Sequence, residues 1–394
     1  MRYRFFRPDE ERETQEYLGT VRRMDEFWGE FTYAAGRWSD RGVGHWVAHL
    51  RAALAKVHPG LGLEVRDEVF DNKCLFILPT EDVALLPMVE LMVERAPEVP
   101  PWTVETQREP QSLERSLQVT LRDCGVDLQT SRARVGVGRG HALDVVIASE
   151  HFASSRDERG LDAALSLLGS LLGDDVFEHW VQEVNITPQA RANPLRLVGE
   201  QSGWLPLALQ ELADSVEAAV RGIRGGLPEH PCHVDCERAE WAMFELGQDG
   251  EPSEQVQHPD IFVATSMRPE MLRCHLSGSH FHSPRFSAHG EVFCGLRYTP
   301  TEAEMNARAD RRIEVEMQLD RALVPGRLGC VVGSGMGTRY VYIYLALQQL
   351  EPALQLAGRR LRDLDLPKDA RFFFLDSAWR HEWLGVWGAE AAPG

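Results

Sequence analysis

Seven of the chain's fourteen histidines and four of its seven cysteines lie between His230 and Cys294. All but His258 fall into two groups: His230, Cys232, His233 and Cys236, then Cys274, His275, His280, His282, His289 and Cys294. Imidazole and thiolate are ligands that zinc prefers, at about 2.0–2.3 Å in a tetrahedron. On a strand, alternation sends His280 and His282 to one face, so the pair offers two ligands from a rigid element, and His289 adds a third across a turn. Three protein ligands leave a position for an activated water, the arrangement of a zinc-dependent hydrolase. Cys232 and Cys236 form a second candidate, a structural pair, although a CxxxC without a second CxxC is a weaker signal than paired knuckles. Against both stands a plainer reading. Histidines in the polar stretch Ser277-Gly278-Ser279-His280-Phe281-His282-Ser283-Pro284 are surface or hydrogen-bonding residues, and Cys274 and Cys294 are core.

Two glycine triplets invite a nucleotide-loop reading: Gly136, Gly138 and Gly140, and half a chain length later Gly333, Gly335 and Gly337. A dinucleotide loop needs a helix to begin at the glycines, so that its first amides meet the pyrophosphate. Here Tyr340-Val341-Tyr342-Ile343-Tyr344 follows as a period-two strand, the gap before the third glycine is too short, and the Walker Lys-Ser/Thr pair is missing. Hairpin turns needing positive φ account for both triplets without a ligand. GxSxG, HExxH, the EF-hand loop and the kinase set are also absent from the sequence, and no catalytic residue is assigned.

The elements that must carry these residues repeat. Each triplet precedes an alternating strand, Leu143, Val145 and Ile147 or Tyr340, Tyr342 and Tyr344, and then a Leu/Ala helix containing Leu161, Ala164, Leu167 and Leu172 or Leu350, Ala353, Leu356 and Leu361. Strands are predicted before them over 102–108 and 292–298, each followed by a helix, and closing strands over 176–184 and 371–375. This is the βαββαβ order of a ferredoxin-like unit, an antiparallel sheet with helices on one face. The sequence therefore predicts an α+β protein of two pseudo-repeated halves, each with extra N-terminal helices and strands. The first domain is 1–187 with its unit over about 101–187, the linker is 188–205, and the second domain is 206–394 with its unit over about 290–376. Tyr17, Val21, Met24, Trp28 and Phe31 predict an N-terminal amphipathic helix that packs on its own domain. Val43 to Val57 and Leu209 to Ile223 predict two more helices, and 84–95 a helix with Pro87 in its first turn. Trp379, Trp383 and Trp387 make one stripe if they are helical.

Composition bounds the function. With 42 Lys+Arg against 60 Asp+Glu the net charge is −18, which argues against a nucleic-acid surface and a polybasic membrane anchor. No apolar run long enough for a transmembrane helix exists, and Met1 to Glu10 lacks the apolar core of a signal peptide. Seven cysteines in such a chain read as reduced thiols. A cytoplasmic protein is expected.

The segment from Gly333 through Tyr340-Val341-Tyr342-Ile343-Tyr344 and the Leu350 helix to Phe372-Phe373-Phe374 resembles bacterial domain-of-unknown-function proteins, and so does His58-Pro59-Gly60 to Trp102. The family has no assigned chemistry, so the resemblance implies no functional residue. The leading expectation is a non-enzymatic protein-interaction protein, of the kind bacterial immunity proteins represent, binding and neutralising a basic protein partner through its acidic surface. The alternative is the zinc-dependent hydrolase built on His280, His282 and His289.

Overall fold

The structure, a computed structural model, describes residues 11–37, 43–67, 73–80, 82–188, 206–246, 260–301 and 308–387. It is a mixed α+β protein, with three sheets and ten α-helices among the described residues. No helix among them is long and apolar enough to cross a membrane. The chain forms two compact units, Met1–Thr106 with Pro228–Gly394 (unit 1) and Gln107–Leu227 (unit 2). This division does not follow the consecutive halves 1–187 and 206–394. Of the expected linker, residues 189–205 lie outside the described residues.

Unit 1 opens with α1 (Glu11–Ala35), α2 (Val43–Val57), the strands β1 (Leu61–Asp67) and β2 (Lys73–Pro79), α3 (Leu86–Glu94) and β3 (Trp102–Glu105). The predicted stripe of α1 is its inner face: Met24, Trp28 and Phe31 are buried with Leu50 and Leu54 of α2 and Met92 of α3, and Tyr17 and Val21 pack at the margin. The Trp28 indole N–H, carried inside, donates to the Met92 carbonyl at 3.1 Å, as a buried donor must. Pro87 sits in the first turn of α3 as expected. The strand expected to open the first repeat belongs here instead. β3 pairs in parallel with β2, and the Trp102 ring stands edge-on to Phe31 at 5.4 Å. The large indole is drawn into this aromatic core, which removes β3 from the sheet of unit 2.

The rest of unit 1 is α7 (Cys232–Asp235), β8 (Ala242–Glu245), β9 (Ile261–Ser266), α8 (Pro269–Leu276), β10 (Val292–Tyr298), α9 (Arg308–Leu323), β11 (Gly329–Gly337), β12 (Val341–Leu347), α10 (Leu350–Asp363), β13 (Arg371–Phe374) and β14 (Trp383–Gly385). Its strands form one seven-stranded sheet in the order β14-β13-β10-β12-β11-β9-β8, antiparallel throughout. All seven residues of β12 are buried. Val341, Ile343, Leu345 and Leu347 join the core with α9 and α10, whereas Tyr342, Tyr344 and Ala346 join a second core with α8, Phe281 and Phe286. The sheet is thus covered on both faces, not one. Contacts of Val83–Leu85 and α3 with the turn Ser377–Trp379, and an Arg380–Asp82 ion pair at 2.8 Å, join the first part of the unit to this one.

The second glycine triplet lies inside β11 and not in a turn. None of Gly333, Gly335 and Gly337 has positive φ. A Cβ at Gly333 would stand 2.9 Å from the Thr265 carbonyl of β9, so close strand approach is what requires glycine there. The turn itself spans 338–340 and is held by Asp260, whose carboxylate accepts from Thr338 Oγ1 (2.7 Å) and the amides of Arg339 (2.8 Å) and Tyr340 (3.2 Å). In the first triplet only Gly140 has positive φ, at 65°. The Trp379, Trp383 and Trp387 stripe is not helical: Trp379 ends a 3₁₀ turn and Trp383 opens β14.

Unit 2 comprises α4 (Leu113–Cys124), β4 (Arg132–Val137), β5 (Leu143–Ser149), α5 (Glu158–Trp180), β6 (Val181–Pro188), β7 (Leu207–Ala208) and α6 (Leu212–Gly225). Its four-stranded sheet runs β6-β5-β4-β7, with β5 and β6 parallel. Ser112 caps α4 by accepting from the Arg115 amide, and Gly125 at φ 65° ends it. Helix α5 breaks at Gly173, φ 75°. The strand expected over 176–184 starts only at Val181.

Candidate functional site

The histidine-rich segment crosses one face of the large sheet between α8 and β10. Phe281 and Phe286 stack on each other at 4.8 Å and bury against Phe293. Residues 280–282 are not a strand. His282 is the extended residue before a 3₁₀ turn, Ser283–Arg285, in which Pro284 fixes the bend. The geometry that would aim His280 and His282 together is therefore absent. Each expected ligand has its own partner. His280 Nδ1 is 3.4 Å from an Arg285 nitrogen, His282 Nδ1 is 3.7 Å from Asp376 Oδ1, and His289 Nε2 is 3.1 Å from the Pro228 carbonyl oxygen. Among the described residues no group of three or more His, Cys, Asp or Glu is placed to hold a metal ion. The zinc set His280, His282 and His289 is not assembled here.

What the fold does assemble is Ser283, His282 and Asp376. Asp376 Oδ1 accepts from the Ser283 amide at 2.7 Å and Oδ2 from the Ser283 hydroxyl at 2.5 Å, while the Phe293 amide donates to Ser283 Oγ at 3.0 Å. The residue types are those of a serine hydrolase, but the wiring is different. A nucleophilic serine passes its proton to imidazole; here it donates straight to the carboxylate, in a residue only 3% exposed. Next to it, Ser377 and Phe281 exchange hydrogen bonds, the Phe281 amide to Ser377 Oγ (2.8 Å) and the Ser377 amide to the Phe281 carbonyl (3.0 Å). Asp376 and Ser377 clamp the segment onto the end of β13.

Arg285, 0% exposed, lies under this clamp and donates to the His280 carbonyl at 3.0 Å. Burial pulls its pKa down to about 10, with Cys274 and Asp376 opposing, so it keeps its charge at neutral pH. A second buried carboxylate, Glu291, accepts from the Cys232 amide at 2.8 Å and from Ser287 Oγ at 2.6 Å. Cys232 Sγ accepts from Arg268 Nε at 3.3 Å, and Cys236 donates to the His233 carbonyl at 3.3 Å. The proposed Cys232–Cys236 pair is thus spent on separate contacts, and no disulfide joins any of the seven cysteines. Burial, and then Glu291, push the Cys232 thiol up to about 12; burial pushes Cys274 up to about 11 and raises Cys294 and Cys330 further. The thiolate is both the nucleophile and the metal ligand. Burial thus holds these four groups in the thiol form at neutral pH.

No protein family, curated protein or solved structure matches the chain. The site must be read from its own geometry. Sequence spacing missed Asp376, Glu291 and Arg285, the residues that organise it. Asp376 lies far downstream of Ser283, and only the fold makes them neighbours.

Unit 2 has its own buried charges at the break in α5. Asp174 meets Arg108 through both oxygens, at 2.6 and 3.0 Å, and also accepts the Arg108 amide at 2.8 Å. One turn on, burial and then the Asp174 charge push the Glu178 carboxyl up to about 7. A carboxyl whose folded pKa exceeds its unfolded value of about 4.5 makes the folded state bind the extra proton. Stability from this group is present below about pH 4.5 and lost as pH rises through about 7. Glu178→Gln is expected to flatten that fall and to stabilise unit 2 at pH 8 by about 1–3 kcal/mol. Urea midpoints of both proteins at pH 5 and pH 8 measure it; equal wild-type and variant pH slopes would contradict the assignment.

Proposed function

We propose that the chain is a non-enzymatic, cytoplasmic protein-interaction protein of the immunity-protein kind, which binds and neutralises a basic protein partner. The observation that carries the reading is the surface at β8, the last strand of the large sheet. Trp241 is 46% exposed and Met243 69%, and both lie on the outer face with Glu245, beside exposed Glu240. Trp and Met are enriched at interfaces, and burying them beside carboxylates favours a partner that brings Lys or Arg. The net charge of −18 speeds such an encounter and makes it sensitive to salt.

The same reading takes about 290–376 as a ferredoxin-like unit. It is supported by the succession β10, α9, β11, β12, α10, β13 and by the order β13-β10-β12-β11, antiparallel at every pair. Helix α4, the β4–β5 hairpin, α5 and β6 repeat that succession from its second element, which supports a duplication whose first copy has lost its opening strand to another sheet. The likeness to bacterial domain-of-unknown-function proteins rests on the same hydrophobic and turn pattern and brings no chemistry.

Affinity capture with the tagged full chain from its native host tests the function. A basic protein is expected to be retained at about 0.1 M salt and released toward about 1 M, as the screening length falls from about 10 to about 3 Å. Recovery of no partner, or of one held equally at both salt concentrations, overturns the proposal.

A further inference from the structure

We infer that unit 2 carries a docking groove along α4 for a short amphipathic helix of a protein partner, apolar on one face and basic at its flanks. The inference rests on the interaction reading above and adds a site and a ligand chemistry to it. Helix α4 is amphipathic in an unusual sense: Ser116 and Thr120 are completely buried, while Leu113, Leu117 and Leu121 are set four residues apart on the groove side. Leu113 and Leu117 touch the core of unit 2 with only part of their surface, and Leu121 is 49% exposed. An open cavity of about 380 Å³ lies along this stripe. That is the lower range of ligand clefts, with room for a few aliphatic side chains and not for an entire large ligand.

Both charged residues that line the cavity, Glu114 and Asp127, are acidic, and Gln118 adds an adaptable polar edge. Leucines four apart form a ridge that fits the groove between the i, i+4 rows of a second helix. From Leu113 to Leu121 the ridge runs about 12 Å, two turns of a docked helix. Carboxylates at its rim select for Lys or Arg flanking those apolar anchors and penalise acidic ones.

The probes are two fluorescein-labelled helical peptides of about 15 residues, with leucines four apart and either lysines or glutamates between them. Anisotropy is read with the full chain at low salt, and the bound peptide is located by photo-cross-linking. The lysine peptide is expected to bind at least about tenfold more tightly than the glutamate peptide and to cross-link within 113–129. Leu121→Ser, at a half-exposed position that leaves the core intact, is expected to weaken it about tenfold, whereas Ile313→Ser on α9 leaves it unchanged. Equal affinity for the two peptides, indifference to Leu121→Ser, cross-links elsewhere, or self-association of the chain that Leu121→Ser abolishes would each overturn the groove. A basic partner captured from the host whose binding ignores Leu121→Ser leaves the interaction reading standing and removes the groove alone. Failure of capture with peptide binding intact does the reverse.

Discussion

Asp376→Ala is expected to destabilise unit 1 by about 3 kcal/mol, more than any histidine substitution in the segment it anchors. Hydrogen bonds to a charged acceptor contribute about 1.5–3 kcal/mol each, and Asp376 receives two from Ser283. Removing it leaves the Ser283 amide, in a buried residue, without this acceptor and takes a negative charge from the neighbourhood of Arg285. Release from the cost of burying the carboxylate offsets part of the loss. Asp376→Asn keeps one acceptor for the amide and is expected to recover about half. His282 stands 3.7 Å from the same carboxylate, too far for a direct hydrogen bond, and His282→Ala is expected to cost under about 1 kcal/mol. Urea denaturation of the three variants measures the ranking. If His282→Ala costs as much as Asp376→Ala, the histidine has a role that the clamp does not describe.

The second large effect belongs to unit 2. Asp174→Ala is expected to cost about 3–5 kcal/mol, the usual penalty for stripping one partner from a buried ion pair. The Asp174 side chain is 1% exposed, and its loss leaves the Arg108 guanidinium and the Arg108 amide without this acceptor at the break in α5. The break cannot relax easily. Gly173 has positive φ, and a Cβ there would stand 2.8 Å from Pro110. Arg108→Ala combined with Asp174→Ala is expected to cost clearly less than the sum of the two, because they remove one interaction. Additive losses in a double-mutant cycle would show that the pair is not coupled.

Much of the fold was legible because its elements announce themselves locally. The stripe of α1, Pro87 in the first turn of α3 and the alternation of β12 are fixed by side-chain period and backbone chemistry within one element. Pairing was not. A strand as short as Trp102–Glu105 carries no mark of which sheet it will join, and an aromatic core far upstream decided it. Glycine was ambiguous for a related reason: it serves positive φ at Gly140 and close approach at Gly333, and the residue type is the same. The histidine segment carries an alternation that only a strand would turn into one shared face. Pro284 and the distant Asp376 bend it, and the partners that consume its polar groups come from other elements. The spacing of Leu113, Leu117 and Leu121 does not by itself show that Ser116 and Thr120 face inward on the same helix.

We propose that this protein acts through its exposed surface and not through the histidine segment. It is tested most directly by calorimetric affinities of the host-captured partner for three full chains: wild type, Trp241→Ala with Met243→Ala, and His280→Ala with His282→Ala, each first shown to be folded by circular dichroism. The surface pair is expected to lose at least about tenfold in affinity, about 1.4 kcal/mol, and the histidine pair less than about twofold. Affinity kept by the first variant and lost by the second would contradict the claim.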